Sequence, residues 1–150
     1  MRNIRTLLAG AVAAALVPAA IAGAATSATA ASTKTIALRH TRLGSILVAP
    51  NGFTLYEFTR DHKNADSCQK VSECTSFWPP LTGTPRAGHG VSAKLLGTIR
   101  LANGSRQITY GGHPLYLYSG DSGPAQTSYI GFEAFGGHWY GLNSRAGTIR

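Results

Sequence analysis

Acidic side chains are scarce: Asp and Glu number 6 in 150 residues. No pair of carboxylates stands at a spacing suited to acid–base work, and no Gly-x-Ser-x-Gly segment occurs. A hydrolase is therefore the least favoured of three functional readings. Cysteine is nearly absent too, with Cys68 and Cys74 alone. Long basic runs are missing: the Lys and Arg residues are scattered, with no helix-spaced stripe, which argues against specific nucleic-acid recognition. Beyond the N-terminus no stretch of useful length carries a helical period, so an α-helical domain is excluded.

What is present begins with Met1-Arg2-Asn3-Ile4-Arg5, a short basic stretch, followed by an uncharged Ala/Leu/Val-rich run from Leu7 to Ala25. Small residues close it, including Ala28-Thr29-Ala30, in the small-x-small pattern of a signal-peptidase site. The expectation is a signal peptide over residues 1–30 and no transmembrane segment after processing. A retained membrane helix fits less well, because the run is mostly alanine, holds Pro18, and lacks a basic cluster behind it. The remaining part, residues 31–150, has the size of one domain. It keeps 12 basic against 6 acidic residues, a net charge of +6. Outside a cell, such a surface attracts anionic wall polymers or phospholipid headgroups.

Two cysteines six positions apart in an exported chain most simply form a disulfide. A loop that short contributes about 2 kcal/mol, so its main effect would be to fix the shape of a surface loop. The alternative, a metal site, would find only half its zinc ligands in these two residues.

Internal repetition is the most informative feature. Residues 51–61, Asn-Gly-Phe-Thr-Leu-Tyr-Glu-Phe-Thr-Arg-Asp, align without a gap on residues 111–121, Gly-Gly-His-Pro-Leu-Tyr-Leu-Tyr-Ser-Gly-Asp. Upstream, Leu43-Gly44-Ser45-Ile46 resembles Leu96-Gly97-Thr98-Ile99, and downstream Trp78 falls opposite Trp139. Repeat one then covers about 38–81 and repeat two about 94–143, joined around Leu81–Lys94. Tyr56 and Phe58 should share one strand face and Leu55 and Glu57 the other, with Tyr116 and Tyr118 repeating this opposite Leu115 and Leu117. Glu57 predicts a partly wet face in the first copy, whereas Leu117 predicts burial on both sides in the second. Asn103-Gly104 is a hairpin signal. Residues 32 to about 39 should add an edge strand or fray. The fold class expected is all-β: two pseudo-symmetric antiparallel β-meander repeats sharing one core.

The segments Leu-Tyr-Glu-Phe-Thr-Arg-Asp and Leu-Tyr-Leu-Tyr-Ser-Gly-Asp resemble the signature of the bacterial secreted repeat family, predicted lipoproteins with a Tyr-x-(Phe/Trp/Tyr)-x-x-Asp motif. The cysteine pair leading into Trp78-Pro79-Pro80-Leu81, and Gly136-Gly137-His138-Trp139-Tyr140, resemble further segments of that family. The resemblance implies a β-rich exported repeat and no particular activity or cofactor. Many relatives carry a lipobox cysteine and this chain has none before Cys68, so a secreted or wall-associated protein without a lipid anchor is expected.

For the motif aspartates Asp61 and Asp121 two structural roles compete with a ligand role. Each could cap the turn after its strand, or accept a hydrogen bond from a motif tyrosine. The rings of Tyr56, Phe58, Tyr116, Tyr118, Trp78 and Trp139 read as core, with a stacking platform for sugars or bases as the functional alternative. His62, His113 and His138 are weak metal-ligand candidates, since no short metal spacing occurs. The leading expectation is a non-catalytic binding or structural module of the envelope. Its main rival is a metal- or haem-associated redox accessory protein.

Overall fold

Strands form where β-branched residues gather and stop at glycine, proline or Asn-Gly turns. The first, β1 (Thr33–Thr41), doubles back through a two-residue turn at Arg42-Leu43 into β2 (Gly44–Val48). The computed structural model describes residues 31–150; the expected signal peptide lies outside the described residues. Then come β3 (Tyr56–Phe58), a single-turn helix α1 (Cys74–Phe77), β4 (Thr84–Ala87) and β5 (Leu96–Arg100). The chain continues through β6 (Arg106–Tyr110), β7 (His113–Pro114), β8 (Phe132–Ala134), β9 (Gly137–Leu142) and β10 (Thr148–Ile149). Three small sheets result, with orders β2-β1-β4, β10-β9-β3 with β8 also on β9, and β5-β6-β7. The all-β, two-repeat expectation holds.

The Asn103-Gly104 turn joins β5 to β6 as read from sequence. Asn103 Oδ1 accepts the Ser105 N–H at 3.0 Å and Gly104 sits at φ +84°. Of residues 32–39, those from Thr33 on do not fray but belong to β1, which the sheet order places between β2 and β4 rather than at the edge. Thr33–Ile36 pair in parallel with β4 and Ala37–Thr41 antiparallel with β2, because the chain after Leu81 turns at Gly83 (φ +138°) and runs alongside the start of β1.

The two repeats are related by an approximate two-fold axis. Tyr56 and Tyr116, equivalent in the alignment, face each other antiparallel, each N–H donating to the other's carbonyl at 2.9 and 3.0 Å. Around them the bonds repeat in pairs. Thr59 N donates to His138 O and Ser119 N to Phe77 O; Leu55 N donates to Leu47 O and Leu115 N to Ile108 O. Burial follows the same symmetry, since Ser45–Ala49 and Arg106–Tyr110 each run one exposed residue then four buried. The upstream sequence island does not obey it. Leu43-Gly44-Ser45-Ile46 starts on the turn into β2, with Gly44 at φ +109°, whereas Leu96-Gly97-Thr98-Ile99 lies inside β5, the other arm of its hairpin. A shared Leu-Gly pair had aligned a turn with a strand.

Each motif segment pairs with the closing segment of the other repeat. Strand β3 runs antiparallel to β9, with Tyr56 opposite Gly141 and Phe58 opposite Trp139. The mirror segment, Tyr116–Tyr118, faces Trp78-Pro79-Pro80, and only one bridge, Pro80 to Tyr116, forms. Proline has no N–H to give a ladder, so the second copy of the motif is extended chain rather than regular strand. Interleaving places two cores side by side: an aliphatic one centred on Ile36, Leu47, Leu55, Ile108, Leu115 and Leu142, and an aromatic one of Tyr56, Phe58, Trp78, Tyr116 and Trp139 with both cysteines.

Candidate functional site

Alternation along the motif sends Leu55 and Leu115 into the aliphatic core and Tyr56, Phe58 and Tyr116 into the aromatic one. There the rings form a column. Phe58 stacks on Trp139 at 4.2 Å, Trp139 on Trp78 at 3.9 Å and 2°, and Trp78 on Tyr118 at 4.2 Å. Tyr56 meets Trp78 edge-on at 5.1 Å, and Tyr116 meets Trp139 edge-on at 5.2 Å. Offset-stacked and edge-to-face pairs each contribute about 0.5–1.5 kcal/mol beyond area burial. Gly137 permits this packing, since a Cβ there would lie 2.7 Å from the Phe58 ring.

The motif aspartates accept from the motif tyrosines, but crosswise. Tyr56 OH donates to both Asp121 oxygens at 3.1 Å, and Tyr116 OH donates to Asp61 Oδ2 at 2.8 Å. Every such bond joins one repeat to the other. Asp61 also takes the capping role, with Oδ1 accepting the Ser67 N–H at 2.6 Å. Burial pushes the Asp61 carboxyl up to about 7 and that of Asp121 up to about 6. Burial, and then the carboxylate alongside, raise both tyrosine hydroxyls well above their ordinary range.

Cys68 and Cys74 are joined in a disulfide, with Cα atoms 5.4 Å apart. Both are fully buried in the aromatic core, so the bridge does more than shape a surface loop. The expected burial of the two motif copies is reversed. Leu55 to Phe58, including Glu57, are all buried, whereas Leu117 and Tyr118 are half-buried. Glu57 tolerates burial because His113 Nδ1 lies 2.6 Å from its Oε2. That contact raises the His113 pKa. The two-fold axis places Leu117 and Phe53 at the equivalent positions, so an ion pair in one half corresponds to two apolar side chains in the other.

Of the histidines singled out by sequence, His62 and His113 line one small cavity with Asp61, Lys63 and Gly112. His138 stacks against Tyr140 elsewhere. Among the described residues no three His, Cys, Asp or Glu side chains converge as a metal site. No helix among them is long and apolar enough to cross a membrane.

Sequence reasoning missed a second aromatic group. Phe77, Tyr118, Phe132 and Phe135 surround a cleft of about 220 Å³ floored by Trp78. Phe77 is 49% exposed and Phe132 43%. Arg60, an exposed cation, is pinned at its edge by a 2.7 Å bond from Nη1 to Phe135 O. Phe132 and Phe135 lie outside the repeated motif, and their unpaired presence in a Gly-rich turn region was the one available signal.

The sequence pattern of a family described as "Secreted repeat of unknown function" matches residues 38–82 and 97–142. No curated protein and no solved structure matches the chain.

Proposed function

The chain belongs to that family of secreted repeats of unknown function, and from this we propose that it works outside the cell as a non-catalytic binding module whose ligand is an anionic cell-wall polymer seated on the aromatic cleft. The observation that carries the reading is the pair of exposed rings, Phe77 and Phe132, held over a floor of packed indole. Exposed aromatics on a rigid base offer flat apolar faces, and sugar rings present matching faces of C–H groups. Arg60 at the rim and the net charge of +6 over residues 31–150 supply the attraction for negative groups on the same polymer. Wall retention follows from this binding.

Sedimentation with isolated cell wall tests it, comparing intact wall with wall stripped of its anionic polymers. The protein should pellet with intact wall, less so with stripped wall, and less as salt rises. A Phe77→Ser/Phe132→Ser double variant should stay in the supernatant while remaining folded, its melting temperature lowered by about 4–8 °C for each kcal/mol of ring packing lost. Equal pelleting of that variant would remove the cleft from the reading, and equal pelleting with stripped wall would remove the polymer.

A further inference from the structure

The ring column has a property that ligand binding does not use. Its rings touch without a gap from Phe58 through Trp139 and Trp78 to Tyr118, and Tyr118 passes on to half-buried Tyr129 at 4.3 Å. The two buried phenols, Tyr56 and Tyr116, sit edge-on against the two indoles. Each phenol already donates a hydrogen bond to a carboxylate. A phenol that loses an electron becomes a strong acid, so a proton acceptor in hydrogen-bond contact decides whether it can be oxidised inside a protein. The Trp139 Nε1–H meets no acceptor among the described residues, although the ring is fully buried. A filler of the same volume without that donor would have packed at lower cost.

We propose that this column relays single electrons, so that an oxygen-centred radical arriving at the Tyr118–Tyr129 surface is reduced at the expense of the two buried tyrosines. The surface radical takes one electron from the column and one proton from water. The resulting indole radical cation takes an electron from Tyr56, whose O–H bond breaks and whose proton moves to Asp121. The products are the reduced oxidant, the hydroxide left by the water, a neutral Tyr56 phenoxyl radical and a protonated Asp121. Tyr116 and Asp61 form the equivalent pair against Trp139. An extracellular thiol or phenol returns an electron by the same path, and the carboxylic acid returns the proton. The raised pKa of both carboxyls suits them to hold and release that proton near neutral pH.

The test uses a photogenerated ruthenium(III) polypyridyl complex as the one-electron oxidant, with the protein at about pH 8, where both carboxyls are ionised. Transient absorption and electron paramagnetic resonance should show an indole radical converting to a neutral tyrosyl radical. Asp61→Asn/Asp121→Asn should slow that conversion about a hundredfold, the low end of what a positioned base contributes. With the surface phenols replaced by Tyr118→Phe and Tyr129→Phe, which keep the rings of the column, a further Tyr56→Phe/Tyr116→Phe double variant should leave the indole radical unconverted. Deuterated solvent should slow the conversion in the unaltered protein, a readout that does not depend on any variant folding. An unchanged tyrosyl yield in the double phenylalanine variant, or conversion indifferent to deuterium and to the asparagine changes, overturns the relay.

Discussion

Tyr56 and Tyr116 exchange both backbone hydrogen bonds across the two-fold axis, and their hydroxyls then reach two different carboxylates. Each reaches the aspartate of the other repeat: Tyr56 takes Asp121 and Tyr116 takes Asp61. The motif is therefore a clasp between halves. A repeat standing alone would leave its tyrosine without an acceptor and its aspartate without a donor, each at a cost of about 1–3 kcal/mol if buried. This gives a physical reason for two copies in one chain.

Double-mutant cycles should reproduce the crosswise pairing. Tyr56→Phe and Asp121→Ala should couple by about 1–2 kcal/mol, while Tyr56→Phe and Asp61→Ala add within about 0.5 kcal/mol. Asp61→Ala should lower the denaturant midpoint more than Asp121→Ala, since Asp61 also accepts from Ser67. Sequence burial alone would have ranked Asp121 first. Coupling of Tyr56 to Asp61 instead would contradict the geometry.

The Glu57–His113 pair can be judged against its own counterpart. His113→Phe alone strands a buried carboxylate and should cost about 2–4 kcal/mol, allowing for the partly exposed imidazole. Glu57→Leu with His113→Phe places there the residue types found at the equivalent positions of the other half, Leu117 and Phe53. It should bring stability to within about 1 kcal/mol of the starting protein, or above it. Chemical denaturation of the three proteins measures this; a double variant no better than the single would mean the halves pack differently here.

Stability should fall from acid to alkaline pH. Asp61 titrates at about 7 and Asp121 at about 6 in the folded protein, against about 3.9 for an unfolded aspartate. The folded state thus binds more protons between those values. The stability this confers is complete below about pH 4 and is lost as pH rises through 6 and 7. His113, raised by Glu57, acts with the same sign, stabilising below its folded pKa and losing that contribution above it. Melting temperature should be higher at about pH 5 than at about pH 8. Asp61→Asn should flatten the slope. A melting temperature rising with pH would refute the buried-carboxyl account.

The repeat, the strand alternation and the disulfide were legible in the chain because each is a matter of spacing along it. A fixed offset, a period of two, and two cysteines six apart need no third dimension. The Asn103-Gly104 hairpin belongs with them, since its turn is made by the residues that spell it. What the tertiary structure decided was pairing. Nothing in two copies of one motif says whether Tyr56 turns to Asp61 or to Asp121; only the axis between them does. Glu57 reads as wet until His113, on the other repeat, is brought within 2.6 Å. The second motif copy reads as strand until it meets Pro79 and Pro80, which have no N–H to offer. Local steric preference sets which residues are extended, but the partner that satisfies a buried charge or donor is fixed by long-range contact, and the sequence lists both candidates with equal weight.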